Sequence, residues 1–227
     1  MSDLMVGLLF VFIILVLYFA LQFRQTTETL SGANNTRAKI LRELETALRD
    51  RGVEVTIDTD TGVLRLPEEV LFDTGAAVLN AEGTRAVGIV AEELARVLPC
   101  YTYPRRAGCP EISHRIDALF VEGHTDRDPM SGTGLIRDNL DLSVVRATNT
   151  YRALTSAAPL LDSLRSEPSA HAPRVLSVSG YGESRPVDDR DSEEAKRNNR
   201  RIDLRFLMIT PRSPMQAGAE DMLVKGP

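Results

Sequence analysis

Asp3 stands at the head of an uncharged run, Leu4 to Leu21, in which Leu, Val, Ile and Phe dominate. A carboxylate drawn into hydrocarbon costs a few kcal/mol, so an acid attached to such a run marks a site by default. In a poorly solvated position its pKa rises and it can alternate between charged and neutral, which is the chemistry of proton carriage. The competing role is modest. At the membrane interface a carboxylate favours a helix N-terminus through the helix dipole, and the run taken alone favours that second role. Gly7 lies one turn along the same face and would admit the close approach of a partner helix.

The two cysteines, Cys100 and Cys109, sit in "PCYTYPRRAGCPE", whose prolines and glycine make it a loop. Paired oxidation would close a ring of about ten residues and contribute about 2–3 kcal/mol. It would also place this part of the chain in an oxidising compartment such as the periplasm; two free cytosolic thiols are the alternative. A structural zinc wants four protein ligands, and here only His114 is near in sequence, so no metal is expected. The Cys-x-x-Cys spacing of a redox motif is missing. No Ser or Cys nucleophile stands in a motif around His124, which reads as a structural residue at a strand end, and no enzymatic activity or cofactor is expected. A net charge of -5 and the absence of Trp argue against nucleic-acid binding, which needs a basic face.

These residues need elements to hold them. The apolar run matches the about 18–20 residues that span about 30 Å of hydrocarbon. No basic residue precedes it, and the stretch from Tyr18 to Phe23 is a poor cleavage context, so it reads as a retained anchor. Tyr18, Phe19 and Phe23 are its interfacial aromatics. "RQTTETLSGANNT" reads as a polar linker. It is followed by a helix with Ile40, Leu41, Leu44 and Leu48 at helical spacing and Gly52 as a stop. "VEVTIDTDTGVLRLP" alternates around Asp60-Thr61-Gly62 and predicts a hairpin. "NAEGTRAVGIVAEELARVLP" and "LSVVRATNTYRALTS" predict amphipathic helices, and "HRIDALFVEGHTD" and "RVLSVSGYGESRPV" core strands that end in Gly-containing loops. "DSEEAKRNNRRIDLRFLM" predicts a short helix running into a last strand. The order gives an α/β (α+β) sandwich with helices on one face of a mixed sheet.

"VEGHTD", "NLDLSVVRA", "VSGYGESRPV" and "NNRRIDLRF" resemble, in order, successive blocks of the OmpA-like peptidoglycan-binding domain, and "LPEEVLFDTGAAVLNAEG" resembles its opening strand and turn. The expected organisation is a transmembrane helix at 1–23, a juxtamembrane linker and helix at 24–52, the OmpA-like domain at 53–208 and a disordered tail at 209–227. The resemblance implies a ligand, the diaminopimelate of the peptidoglycan stem peptide, which ends in an ammonium beside a carboxylate. It matches Asp126 to the ammonium-binding carboxylate and Arg146 to the carboxylate-binding arginine, whose planar fork suits that role. Asn139 matches the family's loop asparagine and Arg200 the first arginine of its "NRR" motif. The alternative is that Asp126 and Arg146 pair with each other, while Asn199 and Arg200 fix the last strand. "RDPMSGTGLIRD" makes the loop after Asp126 longer than the family pattern, enough to reshape the pocket.

"SDLMVGLLFVFIIL" resembles the transmembrane signature of the flagellar stator B-subunit, in which an aspartate opens the apolar helix. With the cysteine loop and the long loop after "GHTD", the chain resembles more closely the B-subunit of the Zorya anti-phage defence system. In such subunits a cytoplasmic tail precedes the aspartate, and here only Met1 and Ser2 do. The resemblance implies an inner-membrane, single-pass protein with its N-terminus cytoplasmic and its domain periplasmic. It further implies Asp3 as the proton-carrying residue, protons as the transported ion, and a homodimer inside five copies of a multi-span A-subunit. A passive wall tether and a flagellar-type stator B-subunit stand as alternatives.

Overall fold

The computed structural model describes residues 2–209 except 74, 131, 133, 135 and 170, with side chains from Leu4 onward. The tail expected to be disordered lies outside the described residues. The chain divides into two compact units, residues 1–33 and residues 34–209 among those described.

In the first unit helix α1, which runs Ser2–Asp50, carries the apolar run. It is long and apolar enough to cross a membrane. Its side chains from Leu4 to Phe23 are exposed, Gln22 excepted. The polar segment expected as a linker is helical instead. No proline interrupts it, Arg24 pairs with Glu28 at 2.8 Å, and the hydroxyls of Thr26, Thr27 and Thr29 donate to carbonyls one turn back.

In the second unit the end of α1 belongs to the domain. Ile40, Leu41, Leu44 and Leu48 are buried in its core, each burial being worth about 1.5–3 kcal/mol. The unit therefore begins before residue 53, because a helix with this apolar stripe is stable only when the stripe is covered. Strands β1 (Thr56–Asp58) and β2 (Val63–Pro67) form the expected hairpin. There follow α2 (Glu68–Leu71), α3 (Ala81–Val97), β3 (Ile116–His124), α4 (Asn139–Ala157), α5 (Leu160–Ser163), β4 (Leu176–Gly180), α6 (Glu193–Asn199) and β5 (Arg201–Met208). The two short helices α2 and α5 have too few residues to show a periodicity in sequence. The sheet order is β1-β2-β5-β3-β4, with β3 and β4 parallel and every other pair antiparallel.

Alternation sorts the sheet into two faces. Leu64, Leu66, Leu119, Val121, Ile202, Leu204 and Phe206 enter the core, while Arg65, Glu122, His124, Arg201, Asp203 and Arg205 occupy the opposite face. This is the mixed sheet with helices on one face that the sequence predicts. Cys100 and Cys109 are joined as a disulfide, Cα to Cα 5.3 Å.

Candidate functional site

Three helix ends and one strand end converge on a cleft of about 680 Å³. Thr125 and Asp126 follow the end of β3. Asp138 caps α4 by accepting from the Asp141 amide at 2.9 Å, which sets Asn139 at the helix start and Arg146 two turns on. Ser192 caps α6 in the same way, accepting from Ala195 at 3.1 Å, and the helix ends at Arg200. Pro67, in extended conformation, opens α2 and delivers Glu68.

All four residues matched to peptidoglycan binding, Asp126, Asn139, Arg146 and Arg200, line this one cleft. Their partners differ from the simple alternative of an Asp126–Arg146 pair. Asp126 Oδ2 accepts from Arg200 Nη1 at 2.5 Å, and its Oδ1 accepts from the Asp128 amide at 3.1 Å. Arg146 pairs instead with Glu68, Nη1 to Oε2 2.6 Å, donates through Nε to the Ala76 carbonyl at 2.8 Å, and lies over the Phe72 ring at 5.2 Å. Its Nη2 is buried and has no hydrogen-bond partner among the described residues. Asn139 donates to the carbonyls of Asp126 (3.3 Å) and Asp128 (2.9 Å), so it holds the loop that carries the acid. The loop after Asp126 supplies Asp128, Pro129 and Met130 as one wall of the cleft, and Lys196 anchors Asp128 at 3.0 Å.

Glu68 escapes the sequence reading. It lies in the "LPEEV" block, but nothing local distinguishes it from Glu69; Glu68 is 7 % exposed, whereas Glu69 points outward. Burial pushes the Glu68 carboxyl up from its ordinary value, against the attraction of Arg146 and Arg200. Burial likewise lowers Arg146, offset by Glu68. For Arg200 burial acts downward, but the bond to Asp126 outweighs it and the pKa is raised. The cleft thus holds two guanidiniums, each paired with its own carboxylate, and Glu69, Asp73, Asp128 and Glu193 add further acids to its lining, so it offers partners to both charges of a ligand that brings one of each sign.

On the polar sheet face lies a second network. Arg205 grips both oxygens of Glu122 at 2.9 Å, and Asp203 is shared by Arg65 (3.1 Å) and Arg201 (3.0 Å). His124 ends β3 as expected, with Nε2 3.6 Å from Asp203 and 3.9 Å from Glu122. It stacks on Tyr181 at 5.3 Å, and the Arg185 guanidinium covers Tyr181 at 3.8 Å. A metal at Glu122, His124 and Asp203 would face three guanidiniums already bound to the two carboxylates, so this donor set does not suit one. Asn199 also does structural work: it accepts from the amides of Val187 and Asp188 and donates to the Asp188 carbonyl. Its neighbour Arg200 faces the cleft.

No protein-family model matches the chain. Motility protein B of Bacillus subtilis (strain 168) is 28% identical over 174 residues, which cover 77% of this chain and 51% of that protein. The chain spans 51% to 58% of the length of the curated relatives it matches. Among solved structures, a putative MotB like protein from Desulfovibrio vulgaris superposes with a TM-score of 0.55 at 23% identity, covering 84% of this chain and 98% of that one. The cell wall anchor of the T6SS from Pseudomonas aeruginosa superposes at 0.51 with 19% identity, over 78% of this chain and 99% of that one. These relatives carry the names of motility and anchor components. The chain therefore combines an apolar N-terminal helix with a mixed-sheet domain whose fold resembles that of the MotB like protein and of the cell wall anchor.

Proposed function

We propose that this chain is the wall-anchored, inner-membrane subunit of a proton-driven stator-type complex. Its periplasmic domain binds the diaminopimelate of the peptidoglycan stem peptide, and Asp3 carries the proton. The observation that carries the wall-binding part is the cleft's pairing of Asp126 with Arg200 and of Glu68 with Arg146. A zwitterion enters such a set without changing its net charge. Its ammonium meets Asp126, and its carboxylate completes the unpartnered Nη2 of Arg146 through a charge-assisted bond. The apolar helix, the disulfide and the fold support an inner-membrane, single-pass placement with the domain in the periplasm.

The ion pathway requires a multi-span A-subunit around a homodimer of this chain, five copies on the family pattern. Service in anti-phage defence follows from the likeness to the Zorya B-subunit. The likeness to motility protein B favours a second reading, a flagellar-type stator subunit; a neighbouring A-subunit gene is common to both and absent for a passive tether.

The wall site is tested by pull-down on purified peptidoglycan. Asp126→Ala strands the ligand ammonium and should cost about 1.5–3 kcal/mol, a tenfold loss or more. Arg146→Lys keeps the charge beside Glu68 but loses the planar fork, and should weaken binding in the same direction. Circular dichroism checks that both variants fold. Undiminished binding by both would remove the assignment.

A further inference from the structure

Beside the main cleft lies a second one of about 440 Å³, and the two share Arg200 and Glu69 as a common wall. Its charged lining is Arg65, Arg197, Arg200 and Arg201 against Glu69 and Asp188. The acids do not balance the bases. Asp188 is held by Arg190, 2.6 Å away and outside the lining, whose side-chain hydrogen bond pulls it down to about 2. Arg200 is spent on Asp126. Arg65 and Arg201 share the single carboxylate of Asp203. Arg197 faces Glu69 at 3.8 Å, beyond hydrogen-bond length. Arg65 thus shares its one hydrogen-bonded carboxylate with Arg201, and Asp58 attracts it without a hydrogen bond.

The unused donors are also placed for a ligand. Arg65 spends Nε on Asp203, and its two terminal nitrogens make no hydrogen bond among the described residues. Arg201, by contrast, is fully occupied by Asp203, Asn199 and Arg185. Arg65 and Arg197 therefore present a fork and a second cation to the same space, with Pro67 and Val187 as its apolar lining. That combination accommodates a carboxylate attached to a short aliphatic stem.

We propose that this second cleft is an anion subsite for the α-carboxylate of the D-glutamate that precedes diaminopimelate in the stem peptide, with Arg65 and Arg197 as its donors. The inference rests on the reading that the main cleft holds diaminopimelate. The γ-linkage of that glutamate leaves its α-carboxylate free in the intact peptide, one residue from the zwitterion. The clefts adjoin at Arg200 and Glu69, so neighbouring residues of one peptide can enter both. The subsite makes the domain selective for unamidated wall.

The test is calorimetry on the full chain in detergent micelles with two synthetic probes. One is the tripeptide L-Ala-γ-D-Glu-meso-diaminopimelate; the other is the same peptide with the glutamate α-carboxyl amidated. The free acid should bind about tenfold more tightly, the worth of one charge-assisted contact. The Arg65→Gln/Arg197→Gln variant should bind both probes alike, at the affinity of the wild type for the amide. This variant leaves Asp203 paired with Arg201, and Arg197 is 58% exposed in its side chain; circular dichroism checks that the domain stays folded without the Arg65–Asp203 bond. Asp126→Ala should weaken both probes equally. Equal wild-type affinity for the two probes overturns the subsite and leaves the main-cleft reading standing; no wild-type binding of either overturns both.

Discussion

His124 shows what burial does to a single ionisable group in this domain. It is 2 % exposed, and neither ring nitrogen has a hydrogen-bond partner among the described residues. Burial lowers its pKa from the ordinary histidine value, Arg201 adds to that, and Glu122 and Asp203 oppose it. The two carboxylates are already engaged by Arg205, Arg65 and Arg201, so they reward a proton on His124 weakly. The unfolded chain therefore takes up this proton first as pH falls below about 6.5. Stability is unaffected above that pH, and it declines below it until the folded state protonates as well, with a slope of at most about 1.4 kcal/mol per pH unit. Denaturant unfolding of wild type and His124→Gln between pH 7.5 and pH 5 should show the smaller decline in the variant. Parallel curves would mean that His124 does not hold back its proton.

Among the elements, α4 matters most, because it carries both Asn139 and Arg146 and must lie close to the sheet to bring them to the cleft. Glycine in β3 and β4 permits this. A Cβ at Gly123 would stand 2.1 Å from the Ser143 carbonyl, and one at Gly180 2.4 Å from Val144 Cγ2. The contact is locked by Ser143 Oγ, which donates to the Leu140 carbonyl and accepts from the Gly182 amide at 2.9 Å. Backbone cannot yield as a flexible side chain can, so Gly123→Ala should force α4 outward. A loss of about 1–3 kcal/mol is expected for such overpacking, or more because the atom struck is main chain. Thermal unfolding measures that loss, and peptidoglycan pull-down of the folded fraction should also weaken as Arg146 shifts. A variant unchanged in both would show that the helix does not depend on this approach.

For the whole molecule the decisive residue is Asp3, in the first turn of α1; its side chain lies outside those described. Asp3→Asn keeps size and shape but can neither ionise nor carry a proton. On the motor reading it leaves membrane insertion, assembly and wall binding intact and abolishes activity, scored as phage protection or rotation. Asp3→Glu retains part of that activity, because it still titrates from a displaced position. A tether predicts no effect from either change, since an interfacial carboxylate contributes at most about 1 kcal/mol to a helix N-terminus. Full activity of an expressed Asp3→Asn strain would leave the anchor without the motor.

What the sequence determined by itself is what local pattern encodes. The apolar run, the hairpin around Asp60-Thr61-Gly62, the helices at Ala81–Val97 and Asn139–Ala157 and the strand ending at His124 each follow from periodicity and capping residues within a short window. The ordered motifs also placed Asp126, Asn139, Arg146 and Arg200 in one site, and the structure brings all four to one cleft. Tertiary structure alone decided the pairing within that cleft. Glu68 becomes the partner of Arg146 because β2 and β5 pair in the register Pro67↔Arg201, which brings α2 against the end of α6 and over α4. No window of sequence contains both residues, 78 positions apart by their numbers. The same holds for the end of α1. Its polar segment has linker composition, and its apolar stripe belongs to the domain because Leu41, Leu44 and Leu48 find a core that forms only when the distant strands have closed. Charge partners and buried faces depend on which distant segments meet, and that is settled by packing the whole domain at once.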